Sequence, residues 1–353
     1  MLKISDILKK TRQPEVTAPA APPSVKPTVT PNVMPVVPSS AVKPPSPALV
    51  TVAAAVAPEI EVGKRTAAAQ VYQQAIAAVG PLMGPYASES HLQKTRDVIA
   101  LVIQQYAAKN DCLLEFFFED YPADVHFLPR HAVNVCVLAL ALARDFPFDA
   151  GQLKKLGLGA VLHDIGLAQC EDIIAQPVQL KEHDLAEIRK HPLLGKDLAA
   201  KLTADLDYEV FDVIQQEHER VDGSGYPFGL KDNQISEFSK LVAVADVYEA
   251  LTHARPYRLR HDGLTAVRQL LVQKQSFSRA YLKSLINILG VFPVGSLVEL
   301  NTRETGVVLR QTKNMPLRPV ISITHTAQQQ KLAENKRIDL AKNFSVYIKG
   351  CVS

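Results

Sequence analysis

The chain has 353 residues, 47% of them hydrophobic and 21% charged, enough for one large domain or two modest ones with real cores. Its 39 basic and 36 acidic residues give a formal charge of +3 with no long block of one sign, too mild a balance to argue for a nucleic-acid polymer as partner. The first ten residues lack the uninterrupted apolar core of a secretory signal, and the longest strongly apolar run, Cys136 to Ala143, is far short of the ~20 residues that span a bilayer. The four cysteines, Cys112, Cys136, Cys170 and Cys351, show no Cys-x-x-Cys spacing. Cys112 and Cys136 read as core thiols, and a reducing, cytoplasmic compartment is the simplest expectation.

In chain order, residues 2 to 10 place Leu2, Ile4, Ile7 and Leu8 on one side of a short amphipathic helix, readable as a docking peptide for a partner or as a frayed terminus. The first 60 residues hold 12 of the 24 prolines, so from Pro14 to about Pro58 a disordered, Pro/Ala-rich tether is expected. Helical spacing begins near Val62, runs from Lys64 to Val79 and stops at Gly80-Pro81. A second helix fits Glu89 to Asn110, and Leu113 to Phe118 continues apolar. These helices pack on the following core or pair with a second copy of the chain; the spacing does not choose.

His131 to Arg144 is apolar nearly all round, as a central buried helix would be, and Leu153 to His163 forms the next, with Gly166 placed as its C-terminal glycine. His183 to Leu202, broken by Pro192, and Asp207 to Glu219 follow as helices. The glycine-rich stretch Asp222-Gly223-Ser224-Gly225-Tyr226-Pro227 is a loop, and Ser236 to His253, Leu264 to Lys274 and Ser278 to Leu289 complete a bundle. Beyond Pro293 the pattern changes to strands: a hairpin of Gly295–Leu300 and Gly306–Arg310, a third strand at Pro319–Thr324 and a fourth at Ser345–Ile348. The fold class is therefore mainly α, a helical bundle with a small C-terminal β appendix, and no internal repeat.

Five clusters of imidazole and carboxylate fall on predicted helices or helix ends: His131, the adjacent pair His163-Asp164, His191 before Pro192, Glu217-His218, and Asp246. Each has an unremarkable explanation by itself: a core or capping histidine for His131, a surface turn for His191, a solvated helix face for His218. Asp246 follows Ala243-Val244-Ala245, and a carboxylate buried there needs a partner that a metal would provide. Taken together they read as a dinuclear metal site. Imidazole and carboxylate without thiolates suit divalent first-row ions, Fe or Mn above all, and argue against a closed structural zinc. Asp164 is suited to bridge, because a carboxylate has two oxygens. Two ions about 3.5–4 Å apart can clamp an in-line phosphoryl displacement and hold a bridging hydroxide. His91, His126, His183, His253, His261 and His325 read as ordinary exposed residues.

His131-Ala132-Val133-Asn134-Val135, His163-Asp164-Ile165-Gly166, His191-Pro192, Glu217 through Pro227, and Asp246 through Arg258 together resemble the HD-GYP family of the HD phosphohydrolase superfamily. Order and spacing match across about 120 to 260, and the Asp-Gly-Ser-Gly-Tyr-Pro loop is a highly specific element. The segment from Phe292 to Val320 also resembles an extension seen in many such proteins. The resemblance implies an HD-type bundle at 121–290, preceded by the tether at 1–60 and a helical segment at 61–120 and followed by a β extension at 291–353. It implies hydrolysis of cyclic di-GMP to pGpG or GMP. By position, His131, His163, Asp164 and Asp246 would hold one metal, and Asp164 would bridge to a second held by His191 and His218 with Glu217. Arg255 and Arg258 would contact substrate phosphate. Gly225, Tyr226 and Pro227 would shape the substrate mouth and meet signalling partners.

Three positions depart from the family pattern. Leu167 stands where a lysine usually follows His-Asp-Ile-Gly, Glu217-His218 replaces a pair of histidines, and Phe127 stands where some members carry a glutamate for a third metal. Two metals are therefore the ceiling, and weaker stabilisation of transition-state charge is expected. The alternative reading is a catalytically impaired module that binds cyclic di-GMP or metal and signals through protein contacts.

Overall fold

The computed structural model describes residues 59–352, apart from 120, 122–125, 177, 179 and 257. The proline-rich tether and the helix expected over 2–10 lie outside the described residues. The chain runs through α1 (Glu59–Val79), a 3-10 turn at Gly80–Met83, α2 (Glu89–Ala107), α3 (Leu113–Phe117), α4 (Phe127–Ala143) and α5 (Ala150–Leu162). A second 3-10 segment, Ile165–Cys170, leads into α6 (Glu171–Ile174), α7 (Glu182–Ile188), α8 (His191–Leu202) and α9 (Tyr208–Gln216). After the glycine-rich loop come α10 (Glu237–Thr252), α11 (Gly263–Val272) and α12 (Arg279–Leu289).

The bundle is built around α4. Its run of Val, Ala, Leu and Cys side chains is buried on every side, with α1, α5, α10 and α12 packed against it. A helix apolar all round can be satisfied only at the centre of a bundle. Its polar exceptions, His131 and Asn134, are buried as well, so each must find partners inside. The helices before α4 pack on the same chain, α1 against α4 and α2 against α5, which decides between core packing and pairing of copies for these faces. Among the described residues no helix is long and apolar enough to cross a membrane. Cys136 and Cys170 are buried and Cys112 half-buried, and burial pushes the Cys136 thiol well above its ordinary value.

The appendix is a five-stranded antiparallel sheet in the order β4-β3-β2-β1-β5, from β1 (Leu297–Leu300), β2 (Thr305–Arg310), β3 (Val320–His325), β4 (Lys331–Asp339) and β5 (Ile348–Cys351). Its own core gathers Val298, Leu300, Val308, Ile321, Ile323 and Leu340, and Leu264 of α11 and Phe292 join it from the helical side.

Several elements differ from expectation. β4 is not anticipated by the sequence pattern because Lys331–Asp339 is an edge strand with mostly exposed polar side chains, so it carries no apolar alternation. The last strand begins at Ile348 rather than Ser345. The second segment expected at His191-Pro192 is present as α8, but the helix expected to reach Glu219 stops at Gln216, which leaves Glu217 and His218 on a turn. Gly166 does not terminate α5. The helix ends at Leu162, Asp164 leads into the 3-10 segment, and Gly166 lies within it.

Candidate metal centre

The five clusters converge inside the bundle from five elements. α4 contributes His131; the C-terminal end of α5 contributes His163 and the following Asp164. His191 is the first residue of α8, Glu217 and His218 follow α9, and Asp246 comes from the middle of α10. All are buried except His218, which is half-buried.

Asp164 joins two halves. Its Oδ2 lies 3.1 Å from His131 Nε2 and 3.4 Å from His163 Nε2, and Asp246 Oδ1 stands 3.4 and 3.8 Å from the same two nitrogens. Asp164 Oδ1 lies 3.2 Å from His191 Nε2, which is also 3.2 Å from Glu217 Oε1. Glu217 Oε2 is 2.8 Å from His218 Nδ1.

Backbone and carboxylate acceptors fix how the rings face. His163 Nδ1–H donates to the Ala160 carbonyl and His191 Nδ1–H to the Ile188 carbonyl, both at 2.8 Å. His131 Nδ1–H donates to Glu249 Oε2 at 2.5 Å. A carbonyl or carboxylate oxygen accepts, so Nδ1 carries the proton and Nε2 is turned inward in each ring, the arrangement by which outer groups orient metal-ligating histidines. His131 Nε2 and His163 Nε2 then face each other at 3.2 Å, beside carboxylate oxygens. Such a cluster must be filled with positive charge, from protons on Nε2 or from cations.

The electrostatics agree. Burial pushes the Asp164 carboxyl upward, but His163 beside it and hydrogen bonds from His131, His163 and His191 hold it well below the usual carboxylate range. Burial is likewise outweighed at Asp246 by His131 and at Glu217 by His218, and both are lowered. Burial opposes charge on the imidazoles too, yet the carboxylates raise His131 and His163 and push His191 up to about 10. The donor set fits divalent metal: two donors on one ion at ~2.1 Å stand roughly 3.0–3.4 Å apart, close to the separations here. Asp164, His191, Glu217 and His218 form one such group, and His131, His163 and Asp164 another.

Three side chains matter more than their sequence suggests. Glu249, fully buried, receives His131 Nδ1–H, Arg255 Nη2 at 2.7 Å and the Tyr121 hydroxyl. His253 is not an exposed residue: it is buried, its Nε2–H donates 2.7 Å to the Phe117 carbonyl, and burial lowers its pKa. Arg189 is half-buried, with its guanidinium 5.8 Å from the ring centroid of Tyr226, and makes no ion pair among the described residues. Only the i, i+3 spacing of Asp246 and Glu249 and the position of Arg189 two residues before His191 hint at these roles in the sequence.

Arg255 and Arg258 meet the protein itself. Arg255 braces Glu249 and stacks over Phe127 at 4.6 Å, while Arg258 donates to the carbonyls of Ala250 and Leu259. The glycine-rich loop is held from within. The buried Glu219 carboxylate accepts from the backbone N–H groups of Phe228 at 2.7 Å and Leu230 at 2.9 Å, and Asp222 accepts from Ser224 and Ser276. Gly225 passes so close to the chain that a Cβ would lie 2.4 Å from Arg220 N. This brings Tyr226 onto His218, rings stacked at 4.6 Å, at the edge of the second cluster. Leu167, by contrast, is buried among apolar side chains of the main core.

Residues 119–278 match the HD domain family, and residues 297–353 match the KOW domain associated with HD domain. The HD-domain match runs from just before α4 to the residue before α12. More narrowly, its loop and ligand order resemble those of the HD-GYP proteins. A cyclic di-GMP phosphodiesterase of Pseudomonas aeruginosa is 34% identical over 216 residues, covering 60% of this chain and 51% of that one. A 3'3'-cGAMP-specific phosphodiesterase of Vibrio cholerae is 35% identical over 140 residues, covering 38% and 31%. The chain thus spans about half or less of the length of these relatives. Among solved structures, an HDG"Y"P protein from Bdellovibrio bacteriovorus, Bd1817, aligns with a TM-score of 0.49 and 20% identity over 68% of this chain and 72% of that one.

Proposed function

We propose that the chain is a metal-dependent phosphodiesterase that hydrolyses cyclic di-GMP to pGpG or GMP. The observation that carries this reading is the sharing of Asp164: its two oxygens face two separate groups of inward-turned donors. His131, His163, Asp164 and Asp246 would hold one divalent ion, and Asp164, His191, Glu217 and His218 a second, with Fe or Mn favoured by nitrogen and oxygen donors. When bound, such ions act as Lewis acids that activate water and neutralise charge developing on a phosphodiester. Asp164, Asp246 and Glu217 would balance three of the four charges on two divalent ions, leaving the centre attractive to an anionic substrate.

The remaining work falls to the chain. Glu249 keeps the His131 proton on Nδ1 and so keeps Nε2 available. Glu219 fixes the loop of Gly225, Tyr226 and Pro227 as one wall of the substrate mouth. Arg189, beside Tyr226, is the cation we assign to a substrate phosphate there, while Arg255 supports the site through Glu249, and Arg258 braces the segment that carries it. Replacing Arg189 by alanine is expected to raise KM for cyclic di-GMP about tenfold with little change in kcat, because a ground-state phosphate contact is lost. Steady-state kinetics of the variant check this.

Leu167 places no donor near the reacting phosphate. Leu167→Lys is expected to raise kcat about tenfold by adding transition-state charge stabilisation, while lowering the melting temperature because a charge enters an apolar cluster. Turnover and thermal melts on the same preparation test both effects. The whole reading is tested by elemental analysis of anaerobically purified protein, paired with turnover of cyclic di-GMP and 3'3'-cGAMP. Close to two metals per chain with release of pGpG or GMP is the expected result. Metal bound with both dinucleotides intact would make the protein a binding module, and absence of metal would refute the ligand assignment.

A further inference from the structure

Behind His131 runs a buried chain of polar contacts that leaves the HD domain. Glu249 Oε2 takes the His131 Nδ1 proton, and Glu249 Oε1 takes the Tyr121 hydroxyl. Asn134, one turn after His131 on α4, turns its Nδ2 toward the same place, 3.2 Å from the Tyr121 oxygen and 3.4 Å from Glu249 Oε1. The Asn134 amide is held in that orientation from the other side: the Tyr72 hydroxyl donates to its Oδ1 at 2.6 Å. Tyr72 belongs to α1, well before residue 119, where the match to the HD domain begins. Tyr72, Asn134 and Glu249 are all fully buried, so none can exchange its partner for water.

We propose that Tyr72 is a positioning residue of the metal centre: through Asn134 and Glu249 it sets the orientation of His131, so that the N-terminal helix α1 is a working part of the site. The proposal rests on the metal-centre reading above. Its physical basis is that an amide has one acceptor and one donor end. With the Tyr72 hydroxyl on Oδ1, Nδ2 must face Glu249 and Tyr121. Without that hydroxyl the amide is free to turn its oxygen toward the carboxylate, and the carboxylate then shifts away from both the amide and His131. Outer groups that orient metal-binding histidines change metal affinity by about 10–100-fold when removed. Tyr72 is two hydrogen bonds further out than Glu249, and a smaller effect follows.

The test is manganese(II) affinity of the full chain, read from the electron paramagnetic resonance of the free ion, for wild type and three variants. Glu249→Gln is expected to weaken binding about 10–100-fold and Tyr72→Phe about 3–10-fold. Tyr106→Phe is the control: its buried hydroxyl donates 2.9 Å to the Val137 carbonyl on α4, outside the relay. It loses a comparable hydrogen bond and melts at lower temperature to a similar degree, yet leaves manganese affinity within about twofold. Equal effects of Tyr72→Phe and Tyr106→Phe, or none from Tyr72→Phe, would overturn the proposal and leave the metal reading intact. Wild type that binds no manganese, iron or other divalent ion would overturn both. Should Tyr72→Phe not fold, Asn134→Leu cuts the relay at its middle while keeping the branching at Cγ, and unchanged affinity there is equally fatal.

Discussion

Substituting Asp164 by alanine is expected to lower bound metal from near two per chain to well below one and to reduce turnover by ~10³-fold or more. Removal of a single transition-state donor typically costs ~10²–10³, and Asp164 is asked for more than one contact. It is the only carboxylate whose two oxygens reach both groups of inward-turned nitrogens, among the described residues. Its loss should be felt in both halves, unlike the loss of Asp246, whose ion-pair contacts among the described residues are with His131 and His163. Asp164→Asn separates charge from shape: it keeps the volume, and metal content should still collapse because the carboxylate charge holds the cations. Elemental analysis of both variants, with circular dichroism to establish folding, decides the matter. Near-normal metal content in Asp164→Asn would mean that the histidines with Asp246 and Glu217 suffice and that the bridging role is misassigned.

The ligand positions are legible in the amino-acid sequence for a physical reason. Four of the candidate ligands are polar residues in stretches otherwise fit for burial: His131 at the head of an all-apolar helix, Asp246 after Ala243-Val244-Ala245, and His163-Asp164 closing an apolar run. A buried charge without a partner is too costly to keep, so such positions announce themselves. Glu249 breaks the same rule, but it follows the expected ligand so closely that its separate task, holding His131, does not show in one dimension. Asn134 and Tyr72 are quieter still. Both are ordinary helix residues in sequence, and they acquire meaning only when α1 lies on α4. Contacts between helices depend on which faces meet, and periodicity identifies a face without its partner. β4 is silent for the opposite reason: an edge strand whose centre is Glu334, Asn335, Lys336 and Arg337 satisfies its environment without an apolar alternation to read.

Gly166 shows how far a motif residue can be misjudged from local signals. A glycine just past a helix suggests a left-handed cap, but Gly166 is not among the glycines with positive φ. Its role is to have no side chain. A Cβ built there would fall 2.0 Å from the His191 carbonyl oxygen and 2.7 Å from Gly195 N, both backbone atoms of α8 that cannot rotate away. The missing Cβ lets α8 approach the end of α5 closely enough for His191 to stand 3.2 Å from Asp164. Gly166→Ala must therefore push α8 outward. We expect destabilisation by about 3 kcal/mol or more, at the upper end for overpacking because the obstacle is main chain, and a fall in melting temperature of roughly 6–12 °C. The displacement acts on one half of the site: metal held through His191, Glu217 and His218 should be lost before metal held through His131, His163 and Asp246. Gly63→Ala in α1, where no atom lies within 4 Å of the added Cβ, serves as the control and should melt no lower than wild type. If Gly166→Ala melts like wild type and retains two metals, α8 is not held at this distance by the glycine, and the second half of the site must owe its geometry to Glu217 and the loop that follows it.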